Sequence, residues 1–176
     1  MWLRVLRFIA ALIAAAIVWY NLTPFYDRFL AAAASPLIRI DRRFRDTRVF
    51  AADRIISVRA KEKRSDLPPA DIPADQLTYN VILLAALFAS NRKPVSDRNV
   101  VAFLTSTAIV VVLHVVAVLL SVESTYAVRM NEWSSAHYGT VARYFWLYAE
   151  IFYRLVGMFA VVFVCWWMGS ATMKRT

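Results

Sequence analysis

Three glycines and one cysteine are all that a chain of 176 residues carries, and each scarcity removes a class of chemistry. So few glycines leave no glycine-rich loop to cradle a phosphate, and there is no nucleophile elbow. Cys165 alone forms no intramolecular disulfide and leaves the redox compartment unspecified. With only His114 and His137 for imidazoles, no zinc signature and no haem-binding Cys-x-x-Cys-His arises, so no metal and no cofactor is expected. No repeat at a solenoid-like period is visible either.

What the chain has in abundance is apolar residues, 60% of the total, and they come in blocks. That is too apolar for an ordinary soluble domain of this size. The clearest block is Val100 to Ser121, 22 residues without a formal charge. Such a helix is about 30 Å long, the hydrocarbon thickness of a bilayer. The patterning predicts an all-α integral membrane protein with four transmembrane helices, over 1–23, 76–90, 100–121 and 143–170. A basic extramembrane loop, 24–75, holds a small β-ribbon between the first two helices, and a polar loop, 122–142, joins the last two.

The first block opens with Arg4 and Arg7, as a signal peptide would. No small-x-small site closes it, however. Trp19, Tyr20 and Asn21 stand there, so it reads as an uncleaved helix ending near Pro24. Beyond Pro36 the texture alternates. In Arg54 to Lys63, Ile56, Val58 and Ala60 face one way, and Ser57, Arg59 and Lys61 the other. Leu37 to Asp41 alternates as well, and Ser65 to Asp75, with three prolines, reads as a stiff linker. The last block is flanked by Tyr144, Trp146, Tyr148 and Tyr153 at one end and by Trp166 and Trp167 at the other, an aromatic belt on each side.

Positive charge outweighs negative, 21 Lys and Arg against 12 Asp and Glu, and the excess is local. Residues 36–66 hold ten Lys or Arg against five Asp or Glu. On a membrane protein this points to anionic lipid headgroups or an acidic protein partner rather than to nucleic acid. Arg39, Arg42, Arg43 and Arg59 are the candidate binding residues of the loop. Arg4/Arg7, Arg92/Lys93/Arg98 and Lys174/Arg175 fall on one side of the four-helix topology, which the positive-inside rule makes cytoplasmic. The basic loop argues the other way by plain count, but its charges are interleaved with acids. Both termini are therefore read as cytoplasmic and the membrane as the bacterial inner one.

Polar residues within the apolar blocks are the remaining candidates. His114 is a proton carrier, a metal ligand or simply a neutral imidazole bonded to a neighbouring helix, the last being favoured. Glu150 and Arg154, four apart, suit an intrahelical pair, with Arg143 and Arg154 as an alternative seat for an anionic headgroup or carboxylate. Tyr79 and Asn80 at the start of the second helix join helices by hydrogen bonds. Glu123, Glu132 and His137 read as solvated loop, and Cys165 as buried and inert.

The order of a first helix, a basic strand-forming loop, Leu77-Thr-Tyr-Asn-Val-Ile-Leu-Leu-Ala-Ala-Leu-Phe-Ala, a long third span and an aromatic last span resembles the exosortase-associated small membrane proteins, nearest those accompanying the exosortase H type in Gram-negative bacteria. The resemblance implies an inner-membrane accessory to a protein-sorting transpeptidase, with the loop outside the cytoplasm, and assigns no catalytic residue. Three functions are thus carried forward. The first is a non-catalytic accessory subunit that binds another integral membrane protein through its helices and basic loop. The second is a small transport or proton-conducting component, and the third an intramembrane enzyme acting on lipid or peptide.

Overall fold

The computed structural model describes residues 2–61, 66–91 and 93–172. Arg92, Lys174 and Arg175, on which the orientation partly leaned, lie outside the described residues. Helix α1, Trp2–Ile38, runs unbroken through Pro24 and Pro36, correcting the expected break at Pro24. An internal proline removes one backbone hydrogen bond, and burial of the face Thr23, Asp27, Leu30, Ala34 and Ile38 offsets that cost, so the helix continues. Its spacing explains its length. Thr23, Asp27, Leu30, Ala34 and Ile38 are buried along one face, while Leu6, Ile9, Ile13 and Ile17 are exposed.

A short 3-10 turn, Arg42–Phe44, then leads into an antiparallel sheet of β1, Thr47–Ala52, β2, Ile55–Ala60, and β3, Ala70–Pro73, in the order β1-β2-β3. The alternation over Leu37 to Asp41 turns out to be the end of α1 and the turn that follows it. The β1–β2 connection is the two-residue turn Asp53–Arg54, both at positive φ, 49° and 64°. That geometry matches the right-handed twist of the strands. The third strand lies in the stretch expected to be a linker: Ala70 pairs with Val58 and Ile72 with Ile56. Pro73 ends it on a sheet edge, where a missing N–H costs no ladder bond. Ile56, Val58, Ala70 and Ile72 are all buried and form the inner face.

The remaining described elements are helical: α2, Asp75–Thr78; α3, Asn80–Ala89; α4, Asp97–Val128; α5, Asn131–His137; α6, Thr140–Phe152; a π-helical turn, Tyr153–Gly157; and α7, Met158–Thr172. The expected polar loop over 122–142 is largely helix, because α4 continues to Val128 and α5 follows. Part of its polar side faces protein, while Arg129, Glu132 and His137 stay exposed. Ser121, Ser124, Thr125 and Tyr126 are buried, with the Tyr126 ring 4.9 Å from Phe44 and 5.2 Å from Trp133. Among the described residues three helical stretches, Trp2–Ile38, Asp97–Val128 and Thr140–Ala171, are long and apolar enough to cross a membrane, and Asp75–Ala89 is a shorter apolar one.

The described residues form two compact units, one from residues up to 22, 78–113 and 156 onward, the other from 23–77 and 114–155. In the first, Leu84, Phe88, Val110, Val162 and Cys165 form the core. Asn80 donates to the carbonyl of Met158 at 3.1 Å, and Ser106 to that of Cys165 at 3.5 Å. Asn91 Oδ1 accepts from Trp166 Nε1 at 3.3 Å and from Ser170 Oγ at 3.5 Å. Gly169 is where α7 comes close: a Cβ there would meet Phe88 at 3.0 Å and Ala102 at 3.2 Å. Small residues at helix contacts serve this purpose in membrane proteins.

Candidate functional site

The second unit holds the sheet and most of the ionisable groups. Its centre is Arg43. The backbone N–H of Arg43 donates to Asp41 Oδ1 at 2.8 Å, and its guanidinium holds both carboxylate oxygens of Asp41, with Nε at 3.1 Å from each. Nη2 reaches Glu123 Oε2 at 3.3 Å, and the Tyr138 hydroxyl donates to that same oxygen at 2.7 Å. The guanidinium also lies 4.0 Å from the centre of the Tyr138 ring, within cation–π range. Hydrogen bonds from Arg43 hold the Asp41 carboxyl below the ordinary carboxylate range. Burial, and then the bond to Glu123, push the Tyr138 hydroxyl well above that of a free tyrosine. Glu123, expected in a solvated loop, is therefore half-buried and fixes the turn after α1 to the end of α4. Beside it a crevice of about 180 Å³ is lined by Leu37, Phe44, Leu119, Val122 and Trp146, with Asp41 and Glu123 at its polar end.

A second anchor ties the sheet to the helices. The Tyr126 hydroxyl donates to the carbonyl of Pro68 at 2.8 Å, and the Ser134 hydroxyl donates to the carbonyl of Tyr126 at 2.7 Å. On the sheet, Arg59 donates to the carbonyl of Ala70 at 2.8 Å and to Asp71 Oδ1 at 2.7 Å. The Ser57 hydroxyl donates to that same Asp71 oxygen at 2.6 Å. Ser57, and then Arg59, hold the Asp71 carboxyl below its usual range.

The buried Glu150 lies one turn before the π-helical turn. Arg154 Nη2 is 2.7 Å from its Oε1 and Arg129 Nη2 is 3.7 Å from its Oε2. Arg154 Nη1 also donates to Gln76 at 2.8 Å. The i, i+4 pair follows from spacing, but Arg129 and Gln76 come from other elements and carry no local signal. Arg143 has separate partners, the carbonyl of Ala127 at 3.1 Å and the hydroxyl of Ser135 at 3.3 Å, so Arg143 and Arg154 have different neighbours.

His114 is wholly buried, and its Nδ1 lies 2.7 Å from the Tyr26 hydroxyl. Next to Tyr26, Asp27 is 1% exposed, and neither of its carboxylate oxygens makes a hydrogen bond among the described residues. Nothing in the sequence singles out Asp27. The other candidates scatter. Arg39 Nε donates to the carbonyl of Thr47 at 3.1 Å, and Arg42 is exposed. Tyr79, half exposed, has its ring 6.1 Å from Phe159.

The residues singled out from sequence thus form several local structural clusters. They do not converge on one catalytic constellation among the described residues. No protein-family model, no characterised protein and no solved structure matches the chain.

Proposed function

We propose that the chain is a non-catalytic accessory subunit of a bacterial inner-membrane complex, and that it binds another integral membrane protein through its helix flanks and its basic insertion. In this reading four helices cross the bilayer, with both termini cytoplasmic and the sheet outside. The resemblance to exosortase-associated proteins suggests a protein-sorting transpeptidase as the partner.

The observation that carries the reading is how the charges are disposed. Glu150, Arg43 and Arg59 are engaged with partners of opposite sign within the chain, whereas Arg42, Arg45 and Arg48 are exposed and in no ion pair among the described residues. Such an arrangement suits holding and docking more than bond-making. The crossing number is supported by two contacts. Arg43 with Glu123, and Pro68 with Tyr126, join the segment after α1 to the segment at the end of α4. Two segments on one side of a membrane are separated by an even number of crossings, which favours Asp75–Ala89 as the partner crossing of α4. At about 22 Å that stretch is short for a bilayer. Its buried Leu84 and Phe88 fit a short crossing shielded by neighbouring helices.

Purification in mild detergent tests the proposal: a stoichiometric membrane-protein partner is expected, and a homogeneous homo-oligomer contradicts it. A second reading, a proton-conducting component, draws on the Tyr26–His114 bond beside the unbonded Asp27 carboxylate. There, His114→Leu abolishes proton movement in liposomes, while in the accessory reading assembly with the partner survives the change.

A further inference from the structure

The sheet has two edges, and only one of them is built to accept another strand. Because the Asp53–Arg54 turn has two residues, Ala52 and Ile55 form a hydrogen-bonded pair, and alternate β1 residues bond to β2 from there. Val49 and Ala51 therefore aim their N–H and C=O groups away from β2, and these groups have no partner among the described residues. The Thr47 carbonyl on the same edge takes a side-chain donor, Arg39 Nε. Six residues long, β1 has no proline and an unbroken register against β2. The opposite edge, β3, has four residues and ends in Pro73. Natural sheets blunt such an exposed edge or use it.

The charge around β1 says what it would accept. Arg59 and Arg43 are matched by Asp71, Asp41 and Glu123, but Arg45 and Arg48 are exposed and in no ion pair among the described residues. Arg39 stands at the edge itself, and Phe50, 46% exposed, offers an apolar contact on the same face as Arg48. Pairing of β1 with its own copy would bring these arginines together, and like charges facing across strands are destabilising. We propose that β1 is the docking edge for an extended, acidic segment of a partner protein, which adds to the sheet as a fourth strand. The inference rests on the accessory-subunit reading for the existence of a protein partner.

The test uses the full chain in detergent and a short fluorescent peptide alternating glutamate and valine. Its companions are the same peptide with alternate main-chain nitrogens methylated and one with lysine in place of glutamate. The glutamate peptide should bind, the lysine peptide should not, and methylation should weaken binding by at least about tenfold, since it removes the bridging hydrogen bonds. Ala51→Pro should weaken it to a similar degree. It deletes an outward N–H and leaves the β2 ladder whole. The double variant Arg45→Glu/Arg48→Glu should shift the preference toward lysine. If the methylated peptide binds as tightly as its parent, the arginines merely attract anions, lipid headgroups included, and the strand is refuted. Absence of binding by the glutamate peptide refutes it too. If Ala51→Pro does not fold, the peptide comparison decides alone. Failure here with a partner still co-purifying removes the strand and keeps the subunit, while a bound peptide with no co-purifying partner does the reverse.

Discussion

Arg154 holds the buried carboxylate of Glu150 at 2.7 Å, and this i, i+4 pair borders the π-helical turn Tyr153–Gly157. Removing one member of a buried pair strands the other, so Glu150→Ala should destabilise the fold by about 3 kcal/mol. The Arg129 contact is longer, 3.7 Å, and its side chain is more than half exposed. Arg129→Ala should therefore cost less than about 1 kcal/mol. Replacing both Glu150 and Arg154 with leucine should recover much of the loss. Thermal unfolding in detergent of the single and double variants measures this directly, and additive losses would contradict it.

The Tyr26–His114 bond makes a similar forecast for an uncharged pair. Tyr26→Phe leaves a buried imidazole nitrogen unmatched and should cost about 1–3 kcal/mol. Tyr26→Phe/His114→Leu should cost less than the sum of the two single changes, because the second substitution removes the group left unmatched by the first. The same melting experiment reads the coupling.

Acid sensitivity should be concentrated in the sheet and its leading turn. Asp41 and Asp71 have folded pKa values below their unfolded ones, Asp41 through hydrogen bonds from Arg43 and Asp71 through Ser57 and then Arg59. Depressed carboxyl values contribute stability that is complete above the unfolded pKa, about 4, and is lost as pH falls through the folded one. Ser57→Ala should raise the Asp71 titration toward the ordinary value. Carboxyl chemical shifts followed from neutral to acidic pH would show it, and an unchanged titration would count against the Ser57 bond.

Gly169 sets how closely α7 packs. Gly169→Leu has nowhere to place its side chain against Phe88 and Ala102 and should destabilise by about 1–3 kcal/mol. Gly169→Ala, needing shifts of only a few tenths of an ångström, should cost less. A larger loss for alanine than for leucine would contradict the packing.

Where sequence reasoning worked and where it failed divides along one physical line. The charge-free run Val100–Ser121, the alternation through Ile56 and Val58, and the Glu150–Arg154 spacing are local patterns, and each appears in α4, β2 and the ion pair. Three elements were misjudged because the local signal pointed to water or to a break. Pro24 lies inside α1, β3 lies within a proline-rich stretch, and Glu123 with Tyr126 belongs to a helix end where Ser121, Ser124 and Thr125 are buried. The anchors that organise the second unit, Arg43 to Glu123 and Tyr126 to Pro68, join residues far apart in the chain. Periodicity and spacing carry no information about such pairs.

The proposed topology turns on one crossing by α1, which takes the chain from a cytoplasmic N-terminus to a sheet outside, and a second crossing that returns Lys93 to the inside. Single-cysteine variants in a Cys165→Ser background, with the thiol at Lys61 or at Lys93, test it most directly. A membrane-impermeant maleimide added to intact spheroplasts should label Lys61→Cys and leave Lys93→Cys unlabelled until the membrane is opened. Labelling of both, or of Lys93→Cys alone, would contradict the account.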